Sequence, residues 1–161
     1  MRIRVIIYCL LLISSSSFSQ ESLSIYGCIT DKDSDSVIIN AFVEIKQGDS
    51  ILYSSRTDST GSYILQIVNS ELNYTVHISA KGKVTHFLTL DLINLDWKHA
   101  YLNVDFKLFN DDLKNDYSIF ETMPMVNFFA NSERQYIDFN RKLTRSFGAT
   151  VDFIRAGGSF K

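Results

Sequence analysis

From Ser22 to about Phe109 apolar and polar side chains alternate with a period of two. Leu23, Ile25 and Ile29 alternate with Ser24, Tyr26, Cys28 and Thr30, and Ala41, Val43 and Ile45 with Phe42, Glu44 and Lys46. Tyr63, Leu65 and Ile67 are spaced by Ile64 and Gln66, and Tyr74, Val76, Ile78 and Ala80 by Thr75, His77 and Ser79. Leu102, Val104, Phe106 and Leu108 close the series. Successive side chains of a strand point to opposite faces, so this pattern predicts strands with one greasy face. Less regular apolar runs at 51–57 and 84–92 bring the expected strands to seven. Polar turn clusters separate them: Asp31–Ser36, Gly48-Asp49-Ser50, Asp58-Ser59-Thr60-Gly61 and Lys81-Gly82-Lys83. The expected fold is an all-β sandwich of two facing sheets.

Outside this body the patterning changes. Arg2 and Arg4 precede an apolar run over Val5–Ile13, followed by a serine-rich exit. Such a run is too short for a spanning helix, which needs about 20 residues. The segment reads as a secretory signal peptide over 1–19, cut near Ser19/Gln20. No later stretch is long and apolar enough to span a bilayer. The expected destination is the periplasm or the cell surface. Beyond 110 the tail offers two aromatic-rich runs, Met123–Ala130 and Gln135–Phe139, around a polar turn, which predicts a hairpin. Leu143, Phe147, Val151 and Ile154 then fall on one helical stripe, with Asn140 as cap and Gly157-Gly158 as stop. That stripe either finishes the core of the sandwich or docks a partner beside Arg141, Lys142 and Arg145.

Composition refines this picture. The 161-residue chain has a net charge of −2, and loss of Arg2 and Arg4 with the leader leaves 14 cationic against 18 acidic side chains. That acidic balance argues against nucleic acid as a partner. Removal of the leader also takes Cys9 and leaves Cys28 as a single thiol, expected to be buried as a small hydrophobe.

A resemblance emerges from four pieces of sequence: Ile25-Tyr-Gly-Cys-Ile-Thr-Asp31, Ala41-Phe-Val-Glu-Ile45, Arg56-Thr-Asp-Ser-Thr-Gly-Ser-Tyr63, and Tyr74-Thr-Val-His-Ile-Ser-Ala-Lys-Gly82. In this order they resemble the carboxypeptidase regulatory-like, or transthyretin/prealbumin-like, domain family over 22–109. The turn with Asp58, Gly61 and Tyr63 is the most specific piece. Asn40 replaces the usual Gly before Ala41, and Lys83 stands where an aromatic often follows Gly82. With its short leader, single domain and small tail, the chain is similar to stand-alone exported members from Bacteroidetes-type bacteria. The resemblance implies a seven-stranded Greek-key sandwich; it does not imply peptidase activity, since in carboxypeptidases this module accompanies a separate zinc domain. Envelope proteins are the partners it implies.

Candidate chemistry is sparse. Asp31, Asp33 and Asp35 have the spacing of the first half of an EF-hand loop, but Ser36 and Phe42 occupy the positions that need Gly and Glu. A looser calcium site and a solvated turn are the two readings of this loop. His77 is expected to be solvated, His86 half-buried, and His99 in a loop, with no spacing that converges on a metal. There is no Gly-x-Ser-x-Gly elbow and no phosphate-cradling glycine loop. No cofactor and no catalytic residues are expected. Asp58, Gly61 and Tyr63 are read as a structural turn. Trp97 and Tyr101, between the last strands, are expected to pack, with stacking on a glycan or peptide as the alternative. The expected function is a non-catalytic structural or interaction module of the cell envelope, with small-ligand, glycan or calcium binding by the end loops as the alternative.

Overall fold

A computed structural model of the protein describes residues 22–68, 73–93, 99–112, 114–131, 133 and 136–158. The proposed leader over 1–19 lies outside these residues, and so does Trp97. Two sheets face each other across an apolar interior, and the fold is all-β with one C-terminal helix.

Sheet one is built around β1 (Ser22–Asp31), which places Leu23, Ile25 and Ile29 wholly inside. β4 (Ser62–Ile67) pairs with it antiparallel, from Leu23↔Ile67 to Cys28↔Ser62. On its other side β1 meets two short parallel strands, β7 (His99–Asn103) and β8 (Phe106–Leu108). The alternation predicts one continuous last strand here; it is instead broken at Val104–Asp105. The cause is Gly27. A Cβ at this position would lie 2.1 Å from the Val104 carbonyl oxygen, so only glycine lets the chain cross so closely. Val104 N–H donates to the Tyr26 carbonyl at 2.9 Å, and Asp105 Oδ1 accepts from Cys28 N–H at 2.8 Å in place of a ladder carbonyl. Gly27→Ala is therefore expected to destabilise the protein by about 1–3 kcal/mol, measured as a lower midpoint in urea unfolding.

Sheet two has the order β10-β9-β6-β5-β2-β3. β2 (Phe42–Gln47) and β3 (Ser50–Arg56) form a hairpin over Gly48-Asp49, where Gly48 takes φ +57. β5 (Asn73–Ser79) and β6 (His86–Asp91) continue the sheet with Tyr74, Val76, Ile78, Leu88 and Leu90 inward. The sheet does not stop at residue 109. β9 (Asn127–Asn131) pairs parallel with β6, and β10 (Tyr136–Phe139) folds back on β9 antiparallel. The tail thus extends the layer it packs beside, because Val126, Phe128 and Ile137 need the same interior.

The helix α1 (Arg141–Arg155) closes one end. Asn140 Oδ1 accepts from Leu143 N–H at 3.1 Å, satisfying one of the free donors of the first turn. Phe147, Val151 and Ile154 are buried and Leu143 is half-buried. The three buried side chains contribute about 1.5–3 kcal/mol each. They join Val84, Phe109, Tyr117 and Phe120 in a second apolar cluster. Phe120 comes from a 3-10 turn over Ser118–Glu121. The greasy stripe of α1 therefore covers this chain's own sandwich.

Candidate functional site

The turn over Asp58–Tyr63 is held from within. Asp58 Oδ1 accepts from Thr60 Oγ1 at 2.7 Å, Thr60 N–H at 2.8 Å and Ser62 N–H at 3.0 Å. These bonds, the Thr60 hydroxyl first, hold the carboxyl below the usual carboxylate range. Gly61 sits at φ +75, and its carbonyl accepts from Ile29 N–H at 2.9 Å. A Cβ there would meet Val37 Cβ at 2.9 Å and the Ile29 carbonyl oxygen at 3.0 Å, so the turn lies tight on β1. Tyr63 pairs with Gly27 in register, is buried, and donates from its hydroxyl to the Val104 carbonyl at 2.8 Å. Burial pushes its phenol well above the usual range, with Asp105 adding to the effect. The motif thus locks the turn, the glycine crossing and the broken strand together. Its polar groups are engaged inside the protein.

The acidic loop is not simply solvated. Asp31 is buried, and its carboxylate is paired with Lys83. Its Oδ1 also accepts from Asp33 N–H and Ser34 N–H, both at 2.8 Å. The Lys83 ammonium, then these backbone donors, hold it far below the usual carboxylate range. Asp33 is paired with Arg155, and Asp35 with Lys107 at 2.6 Å. Lys32 meets Asp152 of α1 at 3.4 Å. Each carboxylate of the loop holds a cation from a distant element, and two of these pairs tie the loop to α1. Among the described residues no three His, Cys, Asp or Glu side chains converge as metal ligands.

The histidines differ from expectation. His77 is half-buried, stacked on Phe87 at 5.4 Å, with Nε2 3.2 Å from Thr75 Oγ1. His86 is only 1% exposed, and neither ring nitrogen has a hydrogen-bond partner among the described residues. It lies against Phe109, Phe147 and Phe120 at 4.6, 5.3 and 5.6 Å between ring centres. Burial, with Lys32 adding a smaller contribution, pushes its pKa down to about 4. Cys28 is half-exposed rather than buried, its Sγ 3.5 Å from the Thr60 carbonyl oxygen.

The expected contact residues fall on separate elements. Tyr101 is 71% exposed on β7, level with Ser24 of β1. Arg141, Lys142 and Arg145 are exposed on α1, and the Arg141 guanidinium lies 5.6 Å from the Phe139 ring centre. An exposed apolar surface among the described residues lies elsewhere. β3 is an outer strand of sheet two, and all its residues except Ser55 are exposed. Ile51 is 54% exposed and is followed by exposed Leu52 and Tyr53. Beside it β4, an outer strand of sheet one, adds Ile64 at 60%. Tyr53, Ser54, Ile64 and Val68 line a shallow, mainly apolar depression of about 510 Å³ between the two edges. The signal for this surface is the run Ile51-Leu52-Tyr53, where alternation fails because neither face is covered.

No protein-family model and no curated protein matches the chain in sequence. Several solved structures match part of the chain. One is catechol 1,2-dioxygenase from Acinetobacter sp. ADP1, with 16% identity over 60% of this chain and a TM-score of 0.42. The Bacillus anthracis TIE protein matches with 12% identity over 56% of this chain and a TM-score of 0.45. A dioxygenase domain from a carbohydrate-binding fusion protein of Streptomyces sp. SirexAA-E matches with 12% identity over 60% of this chain and a TM-score of 0.42. The matched part spans 55% of the Acinetobacter enzyme, 17% of the TIE protein and 84% of the Streptomyces domain.

Proposed function

We propose that this protein is an exported, non-catalytic β-sandwich of the carboxypeptidase regulatory-like kind that binds an envelope protein through its β3–β4 edge. The observation that carries this reading is β3 itself. An outer strand presents unpaired backbone donors and acceptors, and one with exposed Ile, Leu and Tyr side chains is a template for strand addition. Neighbouring Ile64 widens the apolar footing. The non-catalytic reading draws support from how the reactive side chains are used: Asp31 and Asp58 hold turns, His86 is packed among rings, and Tyr63 braces a strand break. The cationic start and short apolar run before β1 support export.

The test is capture from an envelope extract with the protein immobilised, in parallel with Ile51→Lys/Tyr53→Lys. The wild type is expected to retain one partner near stoichiometry. The double variant should lose at least about tenfold of it, because edge lysines block strand pairing. Its unfolding free energy is expected to change by no more than about 0.5 kcal/mol per surface substitution. Equal capture by both proteins, or capture by neither, would overturn the edge reading.

A further inference from the structure

The opposite side of the sandwich carries a second feature, independent of the β3–β4 edge. Here the break between β7 and β8 faces β9, β10 and the start of α1 across a groove of about 300 Å³. Its lining is mainly apolar: Val104, Phe106, Met125, Val126, Phe128 and Phe139. Phe106 and Val126 form the buried floor. Val104, Met125 and Phe128 are half-buried walls, and Phe139 is exposed at the rim. Phe128 and Phe139 brace each other at 6.1 Å between ring centres. This volume lies at the lower end of small-molecule sites, and such a lining suits a hydrocarbon chain better than a sugar.

The two ends of the groove differ in charge. At the α1 end Thr144 lines the wall, and Arg141 stands beside Phe139. Arg145 follows four positions after Arg141, one turn on along the same side of the helix. Both cations are exposed, and neither takes part in the ion pairs that fasten α1 to the acidic loop, which use Asp152 and Arg155. At the other end stands Asp105, with Oδ1 accepting from Cys28 N–H. An apolar trough with a carboxylate at one mouth and exposed guanidinium groups near the other selects both the ligand and its direction. We infer that the groove binds a medium-chain aliphatic carboxylate, with the alkyl chain along Val104, Phe106, Met125 and Phe128 and the anionic head between Arg141 and Arg145. Each methylene placed in the trough leaves water, which is what makes affinity depend on chain length. The head gains two exposed cationic partners in a geometry that guanidinium matches well.

The probe is decanoate, titrated calorimetrically into the full chain below its micelle concentration, with octanoate and decyltrimethylammonium alongside. One decanoate per chain is expected, about fourfold tighter per methylene than octanoate. The cationic amphiphile should bind at least about tenfold more weakly. Arg141→Glu/Arg145→Glu should weaken decanoate about tenfold or more, since both attractive contacts with the head become repulsive. Thr144→Trp should close the mouth and abolish binding, with circular dichroism and melting temperature close to wild type. The charge variant keeps the inference testable if the tryptophan variant fails to fold. Absence of decanoate binding, equal affinity for the cationic amphiphile, or binding that the charge reversals leave unchanged would overturn the assignment. None of these outcomes bears on partner capture at β3, so the two surfaces are tested separately.

Discussion

Between pH 6.5 and pH 4 the protein is expected to lose about 3 kcal/mol of stability through His86 alone. In the folded state the ring is boxed by Phe109, Phe120 and Phe147 with no hydrogen-bond partner for either nitrogen among the described residues, so the neutral form is held and the pKa falls to about 4. In the unfolded chain it titrates near the ordinary value of about 6.5. A histidine depressed in this way contributes its full stability above the unfolded pKa. Below that point the unfolded state takes up a proton that the folded state refuses, and the loss is complete near the folded pKa. Asp31 and Asp58 are also depressed, but their contribution is lost only as pH falls below the ordinary carboxylate value, about 3.9. The two windows are therefore separate. Urea unfolding at pH 7, 5.5 and 4 reads the first. His86→Phe should remove most of the loss between pH 6.5 and 4, leaving the part due to His77, which burial also lowers, and raise stability at pH 7, because two buried nitrogens no longer go unpaired. Equal stability of the wild type at pH 7 and pH 4 would refute this account.

Phe120→Ala is expected to cost about 3–5 kcal/mol. Phe120 is almost wholly buried and touches three rings that arrive from different parts of the chain: His86 of β6, Phe109 after β8, and Phe147 of α1 at 4.9 Å. The 3-10 turn that carries it is short. Amide exchange should show lost protection concentrated in α1 and around residues 117–122. The acid sensitivity of the variant should also shrink, since water admitted to the cavity would hydrate His86. A melting temperature within a degree of wild type would show that α1 is held by its ion pairs instead.

The body of the fold was legible wherever a strand has one covered face. β1, β2, β4 and β5 announce themselves because Leu23, Ile25, Val43, Ile45, Leu65, Tyr74 and Val76 share a single interior. The helix was legible from Phe147, Val151 and Ile154 and from Asn140 before them. What escaped the pattern is non-local. The break between β7 and β8 exists because Gly27, 77 positions before Val104, leaves room for a carbonyl. His86 lies on the same strand face as Leu88, yet its complete burial comes from Phe120 and Phe147, far along the chain. The acidic loop reads as a solvated turn until Lys83, Lys107 and Arg155 arrive from elsewhere. The β3 edge gives a run without alternation, which looks irregular in sequence and is an uncovered strand in space.

The position of β1 has a consequence for how the molecule assembles. Among the described residues it is the first strand, and it is the middle of sheet one, but each of its neighbours is made much later. Cys28 waits for Ser62, 34 positions on, and Ser22 waits for His99, 77 positions on. The β2–β3 hairpin, by contrast, closes over two residues. Local hairpins can thus form while the leading strand is still without a sheet, and the slow, entropy-limited event is the capture of β1 between β4 and β7. Until that event the greasy side of β1 is open to other chains, and the docking of this strand is what seals the interior.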